Sequence, residues 1–357
     1  MLFPYTYVPH QMEKMQTFID FIFYEVWCKA PTRGPFGLQL FDANVELREV
    51  MEAFYYSDAK NADFFYGGIE RIYGHFSKLK KKHIRRIKWW YRCSNDIESI
   101  CKNTSGSYVA CYSDIEKKYR NLFKDLKAFF AGLYDFEAAA LTAKIGDIDS
   151  HYQAFVGENK KEKCPFCGIE GMKGQHHSRR EAYDHYLPKA LYPFSSINFH
   201  NLVPACHDCN STYKGRKDPV HNAAGRRKAF NPYAMAGYTI EIQVNLKHTD
   251  IDSLTPEDIA LQFGPVELAE EIETWRELYS IEERYKAKFC EESGGKYWLT
   301  QILDEWRGRG RCPNEYLESL GEHSNKHPYA ECNFLKKPFL DACQRLGCFD
   351  MESAQSE

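Results

Sequence analysis

The 357-residue sequence predicts an α+β protein that is mainly helical, with a small zinc-stabilised module of two strands and a helix at its centre. Apolar residues recur at three- and four-residue spacing on both sides of the centre, as in amphipathic helices. Two Cys-x-x-Cys pairs lie near the middle of the chain. Between these pairs, prolines, serines and asparagines predict short strands joined by a long loop.

The two cysteine pairs predict a structural zinc site. They are Cys164 with Cys167 and Cys206 with Cys209. A tight turn lets both sulfurs of such a pair bind one zinc ion, with Zn–S bonds of about 2.3 Å. The interval between the pairs is longer than in a simple zinc ribbon, so we expect an inserted segment between them.

A second group of polar residues lies inside and just after this frame. Asp184, His185, Asn201 and Asn210 offer a carboxylate, an imidazole and two amides. These types suit Mg²⁺ or Mn²⁺ and a water-activating base better than they suit zinc. Because neighbouring side chains of a strand point to opposite faces, Asp184 and His185 can share one centre only where the strand ends. A histidine standing alone would instead indicate a hydrogen-bonded core residue.

Two lysines extend this group. The segment from Cys206 to Tyr213 lacks proline and is followed by Lys214 and Gly215, which predicts a helix ending at the glycine. Residues four apart share a helix face, so Asn210 would present an amide to a metal ion and Lys214 an ammonium to a phosphate. Lys189 is a second candidate for phosphate binding. For both lysines, a solvated side chain is the open alternative.

The order of these residues resembles the HNH endonucleases, also called ββα-metal nucleases. The resemblance spans about 50 residues and rests on three motifs: Asp184-His185-Tyr186-Leu187-Pro188-Lys189, Asn201-Leu202-Val203-Pro204, and Cys206-x-x-Cys209-Asn210 followed by Lys214. It implies that His185 is the general base, that Asp184 and Asn210 hold the catalytic cation, and that Asn201 fixes the loop behind His185. The implied reaction is phosphodiester hydrolysis, in DNA rather than RNA.

The motifs also look like those of HNH proteins that accompany ATPases in bacterial anti-phage systems such as Septu and some retrons. That narrower likeness implies an ATPase or other regulatory protein as partner. Two other functions stay open. One is a zinc-stabilised nucleic-acid-binding module with an inactive centre, and the other is an interaction subunit whose nuclease is latent until a partner releases it.

Three regions follow from the sequence: a helical region 1–150, the nuclease module 151–233, and an acidic region 234–357 with one strand followed by helices. Within the first, residues 78–92 hold eight Lys or Arg and no acid, and include Trp89, Trp90 and Tyr91. Such a segment can bind phosphates and stack on unpaired bases. Equally, it can be a helix that buries Leu79, Ile84 and Ile87 and solvates its charges.

Four elements are predicted outside the module: helices over 13–29 and 113–133, a half-buried strand over 238–247, and one long amphipathic helix over 268–289. The net charge of −3 conceals basic residues in the module and acidic residues after residue 250. That segregation favours a nucleic-acid partner for the module.

The composition argues against several classes of protein. No apolar run is long enough to span a bilayer, and the first ten residues lack the pattern of a secretory signal. Nine cysteines lie outside the two pairs, which favours a reducing cytoplasm. No Walker-type glycine loop is found, so any nucleotide hydrolysis would come from another chain.

Overall fold

The computed structural model describes residues 1–57, 62–310 and 312–349. Within these ranges the protein is mainly helical and contains three two-stranded sheets. The α-helices before the centre are α1 Lys14–Phe21, α2 Val45–Tyr55, α3 Gly68–Phe76, α4 Lys81–Ser94, α5 Ile97–Cys101, α6 Tyr112–Lys118, α7 Arg120–Leu133, α8 Ala139–Ile145 and α9 Ile148–Glu158. All described helices are too short or too polar to cross a membrane.

Both predicted N-terminal helices are interrupted. After α1 the chain continues as a π-helical turn, Ile22–Val26, and a 3-10 turn, Trp27–Thr32. Pro31 lies in that turn and has no N–H with which to continue an α-helix. The predicted helix over 113–133 is α6 and α7, separated at Tyr119, whose φ of −143° and ψ of 59° are not helical.

Helix α4 contains most of the basic segment. Ile84, Ile87, Trp90 and Tyr91 are buried against the N-terminal core, as the solvated-helix alternative predicts. Its basic side chains point mainly to solvent, so packing leaves them available to a partner. The Trp89 ring is 40% exposed and stacks on Tyr108 with ring centroids 4.9 Å apart. The two interpretations of this segment are therefore compatible.

Three sheets follow, each an antiparallel pair. Strand β1, Tyr183–His185, pairs with β2, Leu202–Pro204. Strand β3, His221–Asn222, pairs with β4, Gly225–Arg226. Strand β5, Glu241–Leu246, pairs with β6, Ile259–Gly264, and β5 lies within the predicted strand over 238–247. The C-terminal α-helices are α10 Ala269–Tyr279, α11 Ile281–Cys290, α12 Gly295–Arg309, α13 Pro313–Lys326 and α14 Asn333–Arg345.

The predicted long helix over 268–289 is wrong in one respect: the chain forms α10 and α11, broken at Ser280. The backbone of Ser280 is left-handed, with φ 48° and ψ 45°. One continuous amphipathic helix buries a single stripe. The break instead allows the adjacent Leu278, Tyr279 and Ile281 all to be buried.

The largest buried cluster crosses the predicted boundary at residue 233. It unites the N-terminal Met1, Leu2 and Phe3, the four paired cysteines, and apolar residues of β5, β6 and the C-terminal helices. The backbone N–H of Leu2 donates to the carbonyl of Pro165 at 2.7 Å. The central module therefore shares its core with both ends of the described chain.

Candidate functional site

The four cysteines of the two pairs converge at one point in the core. Cys164, Cys167, Cys206 and Cys209 are buried, and their sulfur atoms all lie within 4.8 Å of one another. This cluster can hold a zinc ion, as their spacing predicts. The neighbouring thiols, which hydrogen-bond to the Cys167 sulfur, hold the pKa of Cys167 well below its usual range, while burial raises the pKa of Cys164 and of Cys209. A lowered pKa favours the thiolate form that binds metal.

Residues far along the chain fix the geometry of this cluster. The Trp275 indole donates to the carbonyl of Phe166 at 2.6 Å, and the Tyr285 hydroxyl donates to the carbonyl of Cys167 at 2.9 Å. The Arg284 guanidinium donates to the Cys209 sulfur at 3.1 Å. Helices α10 and α11 thus hold the turn that contains Cys164 and Cys167 in place. They also bring the positive charge of Arg284 to the sulfur of Cys209.

The second group of polar residues lies where β1 ends. His185 is the last residue of β1 and stands opposite Leu202, while Asp184 stands opposite Val203. Neighbouring side chains of a strand alternate between faces, so the two functional groups leave β1 in different directions. Asp184 is directed at the helical segment that follows β2, and His185 at the loop between the strands.

Asn201 ties that loop to the strand pair. Its side-chain oxygen accepts from the N–H of Leu187 at 2.6 Å, and its amide nitrogen donates to the carbonyls of Leu187 and Ser195, each at 3.0 Å. The residue is fully buried. Asn201 therefore contacts backbone and acts by holding the loop in place. Asn201 binds the carbonyl of Ser195, and the next residue, Ser196, contacts His185.

His185 is held by that same loop. Its Nε2 atom lies 3.0 Å from the carbonyl oxygen of Ser196. Because a carbonyl only accepts, Nε2 carries the hydrogen and Nδ1 keeps a lone pair. The ring also packs edge-on against Tyr134, with centroids 4.5 Å apart. Burial, and then the nearby Lys189, lower the pKa of His185 to about 3, so the imidazole is neutral at neutral pH.

Lys214 differs from its predicted role. The segment Asp208–Lys214 is π-helical, with the N–H of Gly215 donating to the carbonyl of Asn210 at 3.0 Å. The Lys214 ammonium donates to Asp184 Oδ1 at 2.8 Å and to the carbonyl of His185 at 2.9 Å, and its side chain is 0% exposed. In this conformation Lys214 faces inward and is not available to a phosphate, because its charge is paired inside the core.

One feature of Asp184 suits a divalent cation, whereas its ion pair with Lys214 opposes cation binding. Its second oxygen, Oδ2, is buried and has no hydrogen-bond partner in the described residues. Burial raises the pKa of the Asp184 carboxyl, and the Lys214 ammonium opposes that shift. An unpaired buried oxygen is costly, and a bound cation would satisfy it. Asn210 lies on the same π-helical segment as Lys214.

Lys189 lies on the rim of the site. Its ammonium pairs with Asp135 Oδ2 at 2.8 Å and lies 5.0 Å from the centre of the Tyr134 ring. The side chain keeps about a third of its exposure. Tyr134, Asp135 and Ser196 are neighbours of His185 that no sequence motif indicates. Ser196 contacts His185 through its backbone carbonyl. Every residue type has this group, so the sequence does not indicate the contact.

The buried pair of Asp184 and Lys214 predicts a stability effect. Lys214→Met removes the ammonium and leaves the carboxylate buried without a partner, so we expect a loss of about 3–5 kcal/mol in the free energy of unfolding, measured with urea. Lys189→Met removes a rim ion pair and should cost at most about 1 kcal/mol. Equal stability of the two variants would contradict the inward position of Lys214.

Comparison with known proteins gives two short similarities. A protein named ea31 from Escherichia phage lambda is 46% identical over 65 residues, which are 17% of this chain and 20% of that protein. Septu protein PtuB from Bacillus thuringiensis is 32% identical over 68 residues, which are 18% of this chain and 25% of that protein. The chain thus covers a quarter or less of either relative. No family model matches the chain, and no solved structure matches it.

Proposed function

We propose that this protein is a metal-dependent HNH endonuclease that hydrolyses phosphodiester bonds, with DNA as its main substrate. The observation that carries the proposal is the end of β1, where a neutral His185 with a free Nδ1 follows a carboxylate with an unpaired oxygen. The similarity to Septu protein PtuB supports a role in defence against phage.

The residues at the end of β1 supply the proton transfer. His185 accepts a proton from a water molecule at Nδ1, and the resulting hydroxide attacks phosphorus. The carbonyl of Ser196 accepts from Nε2 and stabilises the positive charge that the ring then carries. Asp184 and Asn210 would hold Mg²⁺ or Mn²⁺, which supplies charge stabilisation to the phosphate and the leaving oxygen. Lys189 would contact the nucleic-acid backbone from the rim.

The basic face of α4 supports nucleic acid as the partner. The exposed cations are Lys81, Lys82, Arg85, Arg86 and Arg92 in α4, and Lys78 and Lys80 just before it, and none pairs with a carboxylate of the described residues. The C-terminal end of α4 meets the loop that holds His185. There the Ser195 hydroxyl donates to the carbonyl of Ser94 at 2.6 Å, and the Asn198 amide donates to the carbonyl of Asn95 at 3.1 Å. A strand bound along α4 would thus lead toward the site.

Cleavage tests decide the reaction. Purified protein should cut supercoiled plasmid or single-stranded DNA with Mg²⁺ or Mn²⁺, and should not cut with EDTA. RNA serves as the competing substrate. If no substrate is cut with either metal, alone or with a co-expressed ATPase partner, the proposed activity is wrong.

One observation favours a latent form of the same nuclease as the second candidate. The Lys214 ammonium pairs with Oδ1 of Asp184, and its positive charge opposes a cation at Oδ2 of the same carboxylate. A partner that draws Lys214 away would then switch the site on. This form predicts no cleavage by the isolated chain and cleavage when the partner is added.

The basic face predicts a change in salt dependence. Replacing Lys80, Lys81, Arg85 and Arg86 with alanine should weaken DNA binding and reduce the log–log salt slope by about one unit for each DNA phosphate that the protein no longer neutralises. The control replaces four lysines that pair with glutamates: Lys14, Lys29, Lys102 and Lys144. Equal slopes in both variants and wild type would return α4 to a purely structural role.

A further inference from the structure

A cavity of about 440 Å³ opens beside His185. Three of its lining residues flank that histidine. Tyr134 packs its ring on the imidazole, Leu202 stands opposite His185 in the strand pair, and Ile197 follows Ser196, whose carbonyl holds Nε2. The cavity and the base therefore share one wall. His185 itself does not line the cavity, so a ligand there contacts the residues that pack around the imidazole.

The cavity is lined by both apolar and charged residues. Its apolar lining comes from aliphatic side chains such as Met12 and Ile148 and from the rings of Phe136 and Phe199. Its charged lining residues are Asp135 and Glu137, which can accept hydrogen bonds, and Arg180, which can donate them. Two of these groups are held in place: Asp135 by Lys189 at 2.8 Å, and Arg180 by Asp149 at 2.7 Å. Apolar walls with a few fixed polar groups are typical of small-ligand sites.

We propose that this cavity receives one unstacked nucleobase of single-stranded DNA, from a nucleotide next to the phosphate cut at His185. A base has apolar faces that can pack on the Phe136 and Phe199 rings and the aliphatic walls, and a polar edge for Asp135 and Arg180. The proposal rests on the proposed function and narrows its substrate. Unpaired DNA presents a free base, whereas duplex DNA must first unstack one, so unpaired DNA is the preferred substrate.

The first test is a scan of single-stranded oligonucleotides, each with one abasic position, bound by wild-type protein without added Mg²⁺ or Mn²⁺, so that no chelator removes the zinc. Stacking of one base contributes about 1–3 kcal/mol to binding. We expect affinity to fall at least 5-fold at one position and little elsewhere. The position should lie within one or two nucleotides of the cleavage point found with metal.

The second test fills the cavity by Ile148→Trp. Ile148 is the first residue of α9, after the Asp147 cap, and is half-buried. Val45→Trp is the matched control, because Val45 is the first residue of α2 after the Asn44 cap and does not line the cavity. Ile148→Trp should bind intact DNA as weakly as wild type binds the sensitive abasic oligonucleotide. Val45→Trp should behave as wild type.

The outcomes separate this inference from the proposed function. If the protein cuts DNA but the scan shows no sensitive position, the cavity does not hold a base, whatever the Trp variants do. The same conclusion follows if a sensitive position persists in a folded Ile148→Trp protein. If no nucleic acid is bound or cut under any condition, the proposed function fails and the cavity assignment fails with it.

Discussion

Loss of zinc should unfold the centre of the protein. Cys164→Ser or Cys209→Ser removes one of four ligands, and structural zinc contributes about 10–16 kcal/mol of apparent binding free energy in small zinc-dependent folds. We expect both variants to lose zinc and most of their soluble yield together. Elemental analysis and thermal unfolding measure the two effects.

The effect should extend beyond the cluster. Trp275 and Tyr285 bond to the backbone of the first cysteine turn, and Arg284 bonds to a cysteine sulfur. Removing the metal therefore loosens α10 and α11 as well, and the near-ultraviolet circular dichroism of Trp275 and Tyr285 should weaken. Cys101→Ser is the matched control, since Cys101 is equally buried but lies outside the cluster. It should lower stability by only about 1–3 kcal/mol and keep the zinc. Well-folded wild-type protein without zinc would overturn this assignment.

The cysteine cluster could be predicted because its information is local. A gap of two residues lets both sulfurs of a pair bind one metal ion, and two such pairs in one chain are typical of a four-cysteine zinc site. The convergence of Cys164, Cys167, Cys206 and Cys209 confirms a cluster that can hold zinc. The assignment of the surrounding strands and helical turn to the HNH fold stays a prediction.

The direction of Lys214 could not be predicted, because it depends on how the helical segment winds. A four-residue spacing on an α-helix would place Asn210 and Lys214 on one face. The segment is π-helical instead, and the Lys214 ammonium reaches inward to Asp184. Likewise, the bonds from Trp275 and Arg284 to the cysteine turns join positions more than 70 residues apart in the sequence. Such contacts follow from tertiary packing, which leaves no periodic signal.

Removal of the base should abolish most cleavage while the fold survives. General-base catalysis contributes about 10²- to 10⁴-fold to rate. His185→Ala should therefore slow plasmid cleavage by about that factor. Asn210→Ala should cause a comparable loss, because it removes an oxygen from the proposed cation site. Neither residue belongs to the thiolate cluster, so zinc content, melting temperature and DNA affinity without added Mg²⁺ or Mn²⁺ should stay near the wild-type values.

His207→Ala is the control for whether loss of any histidine in this module lowers cleavage, or only loss of His185. His207 lies between Cys206 and Cys209, and its side chain is 82% exposed. It should cut as wild type does. Imidazole added to His185→Ala should restore some activity, because the small ring can occupy the vacated space beside Ser196 and Tyr134. If His185→Ala and Asn210→Ala cut any substrate as fast as wild type at matched metal concentration, the end of β1 is not a nuclease site. The zinc-stabilised binding module would then be the better account of the same residues.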